Sequence, residues 1–235
     1  ESTALVQRST LKYDQLNRLQ RVLLFERMFI YCRPMARTTG SHSQKTGPRV
    51  TQSAQRLFAQ YGYAAVSMRQ IAAEVGVQVG ALYNYTPDKQ SLLFTLMQEH
   101  MSGLLAAWKI HQGPENSTAL RGLLAFVDCH LRYHLPRSEA VFIAYMELRN
   151  LTAENFDHIE KMRKSYEDAL EAIIKKGMAT GEFKVADSKI VTLAIIGMLK
   201  EVSTWYRPDG RLTETALIER YQTMACQLVG AGAEP

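Results

Sequence analysis

Two sets of residues in this 235-residue chain could do chemistry. The first is an imidazole pair, His130 and His134, four apart on one predicted helix and therefore on one face, with Asp128 and His100 as further candidates. That spacing suits two ligands of a metal ion. No glutamate stands between the two histidines as a His-Glu-x-x-His motif requires, and spacing fixes no third ligand. One packed and one solvated histidine would also account for the pair, as would a small-molecule pocket lined by His100, His130, Tyr133, His134 and Met146. The second set is Arg69, Gln78, Val79, Gly80, Ala81, Tyr83, Asn84, Tyr85 and Lys89. Guanidinium and amide groups can bond base edges or phosphates, and tyrosine hydroxyls and an ammonium suit phosphate oxygens. Glycine and alanine at 80 and 81 let a helix lie close to the floor of a groove. Neither Gly-x-Ser-x-Gly nor a Walker lysine occurs, so no enzyme activity and no cofactor are expected.

The second set needs a scaffold, and the neighbouring residues supply one. Ser67 and Gln70 form a capping box, with Val66 and Ile71 as its hydrophobic staple, so a helix starts at Met68. Gly76 can take positive φ and stop it after two turns. A second short helix can then run from Gln78 to about Tyr83. Thr86-Pro87-Asp88 precedes the next helix, with proline expected at its first position and aspartate near its positive end. Upstream, Val50, Ala54, Leu57, Phe58 and Tyr61 recur at helical spacing, and Gly62 closes that segment. Ala72 is small where two helices would cross, while Ile71, Val75, Val77 and Leu82 close a three-helix core. This is the helix-turn-helix arrangement.

Beyond it the pattern is helical throughout, at about 88–109, 117–135, 139–149, 153–180, 187–206 and 213–230. No stretch alternates as a sheet would, so the fold class is all-α. Ile190 to Leu199 is apolar on nearly every face, which predicts a helix buried all round. Thr213 should cap the last helix, stapled by Leu212 and Leu217. Composition is ordinary for a globular chain, 46% hydrophobic and 22% charged. No run approaches the ~20 apolar residues of a membrane span, and no membrane partner is expected. Three scattered cysteines (Cys32, Cys129, Cys226) fit a reducing cytoplasm, and the last two should be inert. Residues 1–100 hold 12 Lys+Arg against 6 Asp+Glu, so the excess positive charge lies in the front of the chain. Residues 1–34 read as an extension outside the fold, and the functional protein is expected to begin near Met35. The domain division is then 35–94 for a basic arm (Arg37, Lys45, Arg49) with the helix-turn-helix, the arm being flexible, and 95–235 for a larger helical domain.

From about Arg49 to Met101 the chain resembles the DNA-binding domain of the TetR family of bacterial transcriptional regulators. The residues carrying the resemblance are Leu57-Phe58-Ala59-Gln60-Tyr61-Gly62, Ser67 to Ala72, Gly76-Val77, and Leu82-Tyr83-Asn84-Tyr85 with Lys89 and Leu92-Leu93. The resemblance implies a homodimeric repressor that binds a palindromic operator in double-stranded DNA and is released by a small molecule, with 95–235 as its effector-binding and dimerisation domain. It implies that Arg69, Gln78, Val79, Gly80, Ala81 and Asn84 face bases, and that Tyr83, Tyr85 and Lys89 contact phosphates. Asn84 stands where an aromatic or basic residue is common, and Gln78 where serine is common, which bears on the operator sequence. Trp205 to Thr213 is similar to a linker in TetR-type regulators of fatty-acid and acyl-CoA metabolism, and Glu147-Leu-Arg-Asn-Leu-Thr152 recurs in that branch. An acyl-CoA or fatty-acid-like effector is implied. The helices at about 187–206 and 213–230 would pair as a four-helix dimer interface. Two other readings remain: a metal-dependent hydrolase using His130 and His134, and a ligand-binding module that recruits a protein partner.

Overall fold

The first element, α1 (Ser43–Tyr61), buries Val50, Ala54 and Phe58 along one stripe. Residues 43–114 and 117–231 are described by the computed structural model, and expectations for residues 1–42, the extension and Arg37 among them, lie outside it. The arm was expected to be flexible up to residue 49, yet α1 already includes 43–49. Pro48, the sixth residue of α1, forfeits a backbone hydrogen bond and crowds the carbonyl four residues back, but its φ is already helical and the helix runs through it.

The capping box forms as expected. Ser67 Oγ accepts from the Gln70 N–H at 3.3 Å, and the Gln70 side chain accepts from the Ser67 N–H at 2.8 Å. It opens α2 (Met68–Val75), whose Ile71, Ala72 and Val75 are buried, as is the staple residue Val66. Gly76 then turns left-handed at φ 79°, and its N–H bonds back to Ala72 and Ala73. Replacing Ser67 by alanine should cost about 1 kcal/mol, the usual value of an N-cap. A thermal melt checks this, and an unchanged midpoint would count against it.

Next come α3 (Val79–Leu82) and α4 (Lys89–His111). Asp88 is the N-cap of α4 and accepts from the Ser91 N–H, so Pro87 precedes the cap instead of occupying the first helical position. The helix α4 is shared. Its Leu92, Leu93, Leu96 and Met97 join the core formed with α1–α3, and Leu104 and Trp108 continue into the C-terminal helices. These are α5 (Ala119–His134), α6 (Ser138–Met146), α7 (Ala153–Thr180), α8 (Ser188–Trp205) and α9 (Glu214–Leu228), with single 3₁₀ turns at 135–137 and 148–150. No strand occurs among the described residues. Thr213 caps α9 by accepting from the Ala216 N–H, with Leu217 buried and Leu212 half-buried.

One expectation fails on α8. Thr192, Ile195, Leu199 and Val202 are buried, but Ile190 is 65% and Leu193 47% exposed, with Ala194 and Gly197 exposed beside them. Within one chain the other helices cover only one side of α8. Its second apolar side is left without a cover.

Candidate DNA-reading surface and effector cavities

The recognition segment is held from behind and bare in front. Behind it, Leu82 is fully buried in the core, while Val79, Ala81 and Tyr85 are half-buried. Two guanidinium groups brace α2 against α1: Arg49 Nη2 donates to the Val75 carbonyl at 2.6 Å, and Arg56 pairs with Glu74 at 3.0 Å. The first bond satisfies one of the free carbonyls at the end of α2, and the cation suits that negative end. In front, Arg69, Gln78, Gly80, Tyr83 and Asn84 are exposed. Gln78 is the N-cap of α3 yet makes no side-chain capping bond, so its amide is left for an outside partner.

Gly80 is the telling position. Its φ is not positive, and a Cβ built there would meet no atom within 4 Å. Neither backbone geometry nor packing calls for glycine, which costs roughly 0.5–1 kcal/mol against alanine inside a helix. Open space lies in front of it, and the missing side chain leaves the backbone of α3 bare there.

Lys89 is placed differently from the other expected contacts. Its Nζ donates to the carbonyls of Tyr63 at 2.9 Å and Val66 at 2.7 Å, and lies 4.2 Å from the centre of the Tyr63 ring. Two of its three donors are thus used within the protein. Burial pushes the ammonium below its ordinary pKa, and the Glu147 carboxylate opposes that shift.

In the C-terminal part the histidines do meet. His134 stacks on His130 with ring centres 4.1 Å apart, and His100 lies 5.2 Å from His134. Tyr133 packs against both His100 and His134, and its hydroxyl donates to the His100 carbonyl at 2.9 Å. His130 and His134 are 0% and 2% exposed, so neither is the solvated histidine of the simple packing alternative. His134 Nδ1 bonds the His130 carbonyl, and His130 Nδ1 shares a 3.3 Å bond with the Tyr166 hydroxyl. The remaining nitrogens, His130 Nε2, His134 Nε2 and both of His100, have no partner within the protein. Burial holds all three imidazoles neutral: His100 falls to about 3, His134 to about 4, and His130 well below its ordinary value. Asp128 takes no part, because it pairs with Arg132. Among the described residues, no group of three His, Cys, Asp or Glu could hold a metal ion.

Two hollows lie nearby and share Pro136. The smaller, about 250 Å³, is lined by His100, Tyr133, Glu99 and Arg137, with Gln55 of α1. The larger, about 910 Å³, runs between α6 and α8 under the 206–208 turn. Phe142, Tyr145 and Met146 line it with Lys200, Arg207 and Ala59 of α1. Met146 therefore belongs to a different hollow from His100 and Tyr133, while His130 and His134 line neither. Sequence reasoning missed Phe142, Tyr145, Lys200, Arg207 and Tyr166, which come from three helices and the turn after α8 without a shared motif. Burial raises the thiol of Cys129 to about 11 and also raises that of Cys226, which disfavours the reactive thiolate at both.

A capped helix, a left-handed glycine and a short helix with a bare outer face make this a helix-turn-helix DNA-binding protein. Residues 50–96 match the bacterial regulatory proteins of the tetR family, and residues 117–229 match the tetracyclin repressor-like C-terminal domain. The chain belongs to the TetR family and is a transcriptional regulator. The fatty acid metabolism regulator protein of Bacillus subtilis (strain 168) is 26% identical over 171 residues, covering 72% of this chain and 88% of its own. The HTH-type transcriptional repressor KstR2 of Rhodococcus jostii (strain RHA1) is 23% identical over 195 residues, or 80% and 92%. A tetR-family regulatory protein from Rhodococcus RHA1 superposes with a TM-score of 0.76 at 28% identity, over 80% of this chain and 99% of that one. AibR, solved with isovaleryl coenzyme A and operator DNA, shares the fold at a TM-score of 0.69 and 24% identity, over 80% of this chain and all of its own. No helix among the described residues is long and apolar enough to cross a membrane.

Proposed function

We propose that this regulator is a cytoplasmic homodimeric repressor, not an enzyme, released from a palindromic operator by a small acyl-type molecule. The observation that carries DNA reading is the outer face of α3, where a glycine without internal purpose sits among unpaired polar side chains. On this reading Arg69, Gln78, Val79, Gly80, Ala81 and Asn84 meet bases and Tyr83 and Tyr85 meet phosphates, while Lys89, turned inward onto the Tyr63 and Val66 carbonyls, serves the turn before α2 instead of a phosphate. Residues 35–94 form the reader and 95–235 the sensor. A single short recognition helix binds weakly, and a two-fold dimer on a two-fold site multiplies the contacts. The uncovered side of α8, with Met224 and Leu228 exposed on α9, supports pairing of these helices between two copies. The larger hollow supports the ligand class: aromatic and methionine walls suit an acyl chain, and Lys200 and Arg207 suit an anionic head. The fatty-acid regulator and the AibR complex with an acyl coenzyme A point the same way.

Electrophoretic shifts with duplexes from the intergenic DNA beside the protein's own gene test the reading. Binding should weaken steeply with salt, because phosphate contacts release counterions. No shift at low salt would refute it. Asn84→Ala should redistribute preference among related duplexes, costing about 1–3 kcal/mol at one base position and little elsewhere. Uniform loss over all duplexes would remove Asn84 from the base-reading set.

A further inference from the structure

The turn between α1 and α2 is gripped from two sides. The Tyr63 carbonyl accepts from Lys89 on α4, and the Tyr63 N–H donates to Glu147 Oε1 at 3.1 Å. Glu147 directly follows α6 and lies 84 residues away in the chain, in the part assigned to the sensor. It is only 7% exposed, and its second oxygen accepts from the Asn150 side chain. Gly62 turns the chain into this grip at φ 81°, in van der Waals reach of the same Glu147 oxygen. Gln90 ties the group further by donating to the Asn150 carbonyl at 2.7 Å and to the Tyr63 hydroxyl. A buried carboxyl group bonded to a backbone N–H is costly to strand, since the N–H left behind is also unpaired.

Residues 63 to 67 lead directly into α2, so whatever fixes Tyr63 fixes the start of the helix-turn-helix. The same α6 supplies Phe142, Tyr145 and Met146 to the wall of the larger hollow, immediately before Glu147. We propose that Glu147 is a positioning residue for DNA binding: with Lys89 it clamps Tyr63 and ties the orientation of the reading helices to the position of α6. The inference rests on the DNA-binding reading above. It gives Lys89 a role separate from phosphate contact, namely to hold the carbonyl side of the turn that Glu147 holds from the N–H side.

The test uses full-length variants and duplexes that the wild-type chain selects from a random-sequence pool. Glu147→Gln keeps an acceptor oxygen, whereas Glu147→Leu has similar volume and none. E147L should bind about tenfold more weakly than E147Q, the effect of one unpaired buried N–H on the bound geometry. Loss of a negative charge alone would instead strengthen binding to DNA. Lys89→Met should weaken binding while leaving the salt dependence unchanged, whereas loss of a phosphate contact would reduce the logarithmic slope by about 0.9. The double variant E147L/K89M should bind no more than about threefold below the weaker single one, because both changes release the same residue. Equal affinity of E147L and E147Q would overturn the proposal. Should E147L fail to fold, the K89M slope decides, and a fall of about 0.9 overturns it. If the wild-type chain selects no duplex at all, the DNA-binding reading fails before this inference is reached.

Discussion

Gly80→Leu should abolish operator binding in a protein that folds as well as the wild type. A side chain at this position projects into open space, so the fold pays no packing penalty. Leucine is also the better helix former by about 0.8 kcal/mol, which offsets its exposure. At the DNA the same side chain would stand between α3 and the groove floor. The residues flanking it, Val79, Ala81 and Asn84, could not then reach base edges, and each good contact of that kind is worth about 1–3 kcal/mol. Loss of two or three amounts to at least about 25-fold in affinity and to more than about a thousandfold at the upper values, since about 1.4 kcal/mol is tenfold. Gly80→Ala should fall between the two. Paired measurements of melting temperature and electrophoretic shift check this, and G80L binding at wild-type affinity would show that α3 does not enter a groove.

The second large effect is acid sensitivity. His100, His130 and His134 are held neutral in the folded protein at pH values where the unfolded chain would protonate them. Their folded values are depressed, so the stability they allow is complete above the ordinary histidine value of about 6.5. Below it, unfolding takes up protons that the folded state refuses. Each imidazole then removes about 1.4 kcal/mol per pH unit until its own folded value is reached, near 4 for His134 and near 3 for His100. Relief for a protonated ring comes from the His130 carbonyl, which bonds His134, and burial outweighs it; Arg137 is a further cation, and Tyr133 and Tyr166 stay neutral because burial raises their hydroxyls. Three such groups remove as much as about 4 kcal/mol per unit, against a total of about 5–15 kcal/mol for a typical domain. Chemical denaturation between pH 7.5 and 4.5 should show this fall. His100→Phe should reduce the slope by about a third, in proportion to the one proton removed, at little cost near neutrality, because neither His100 ring nitrogen bonds within the protein. A stability flat across that range would contradict the burial of the three rings.

What could be read from the sequence is what short-range chemistry decides. Ser67 with Gln70, Gly76, and Thr213 with its flanking leucines act over a few residues, and each acts as expected in the structure. Contacts between distant segments were not legible. Arg49 reaches Val75 across 26 positions and Glu147 reaches Tyr63 across 84, and no local pattern encodes either. The histidines show both sides of this. Helical spacing put His130 and His134 on one face, but only the packing of α4 on α5 brings in His100 and turns the rings into a stack. For α8 the family resemblance, not the apolar pattern, pointed to a second copy, since a helix covered by its own chain and one covered by a partner have the same apolar composition.

The helix α4 runs through one continuous core, in which Leu93 and Met97 are buried together with Leu104 and Trp108, alongside residues of α1 and of the C-terminal helices. No residue along it offers a place where one half could come apart and leave the other whole. Heat should therefore melt reader and sensor in a single calorimetric transition. A cut near residue 95 would produce two fragments, each exposing half of a severed apolar stripe. Damage anywhere in the sensor core then lowers the supply of competent reader. For such a protein, loss of repression in a mutant screen is as easily a symptom of instability as of a lost DNA contact.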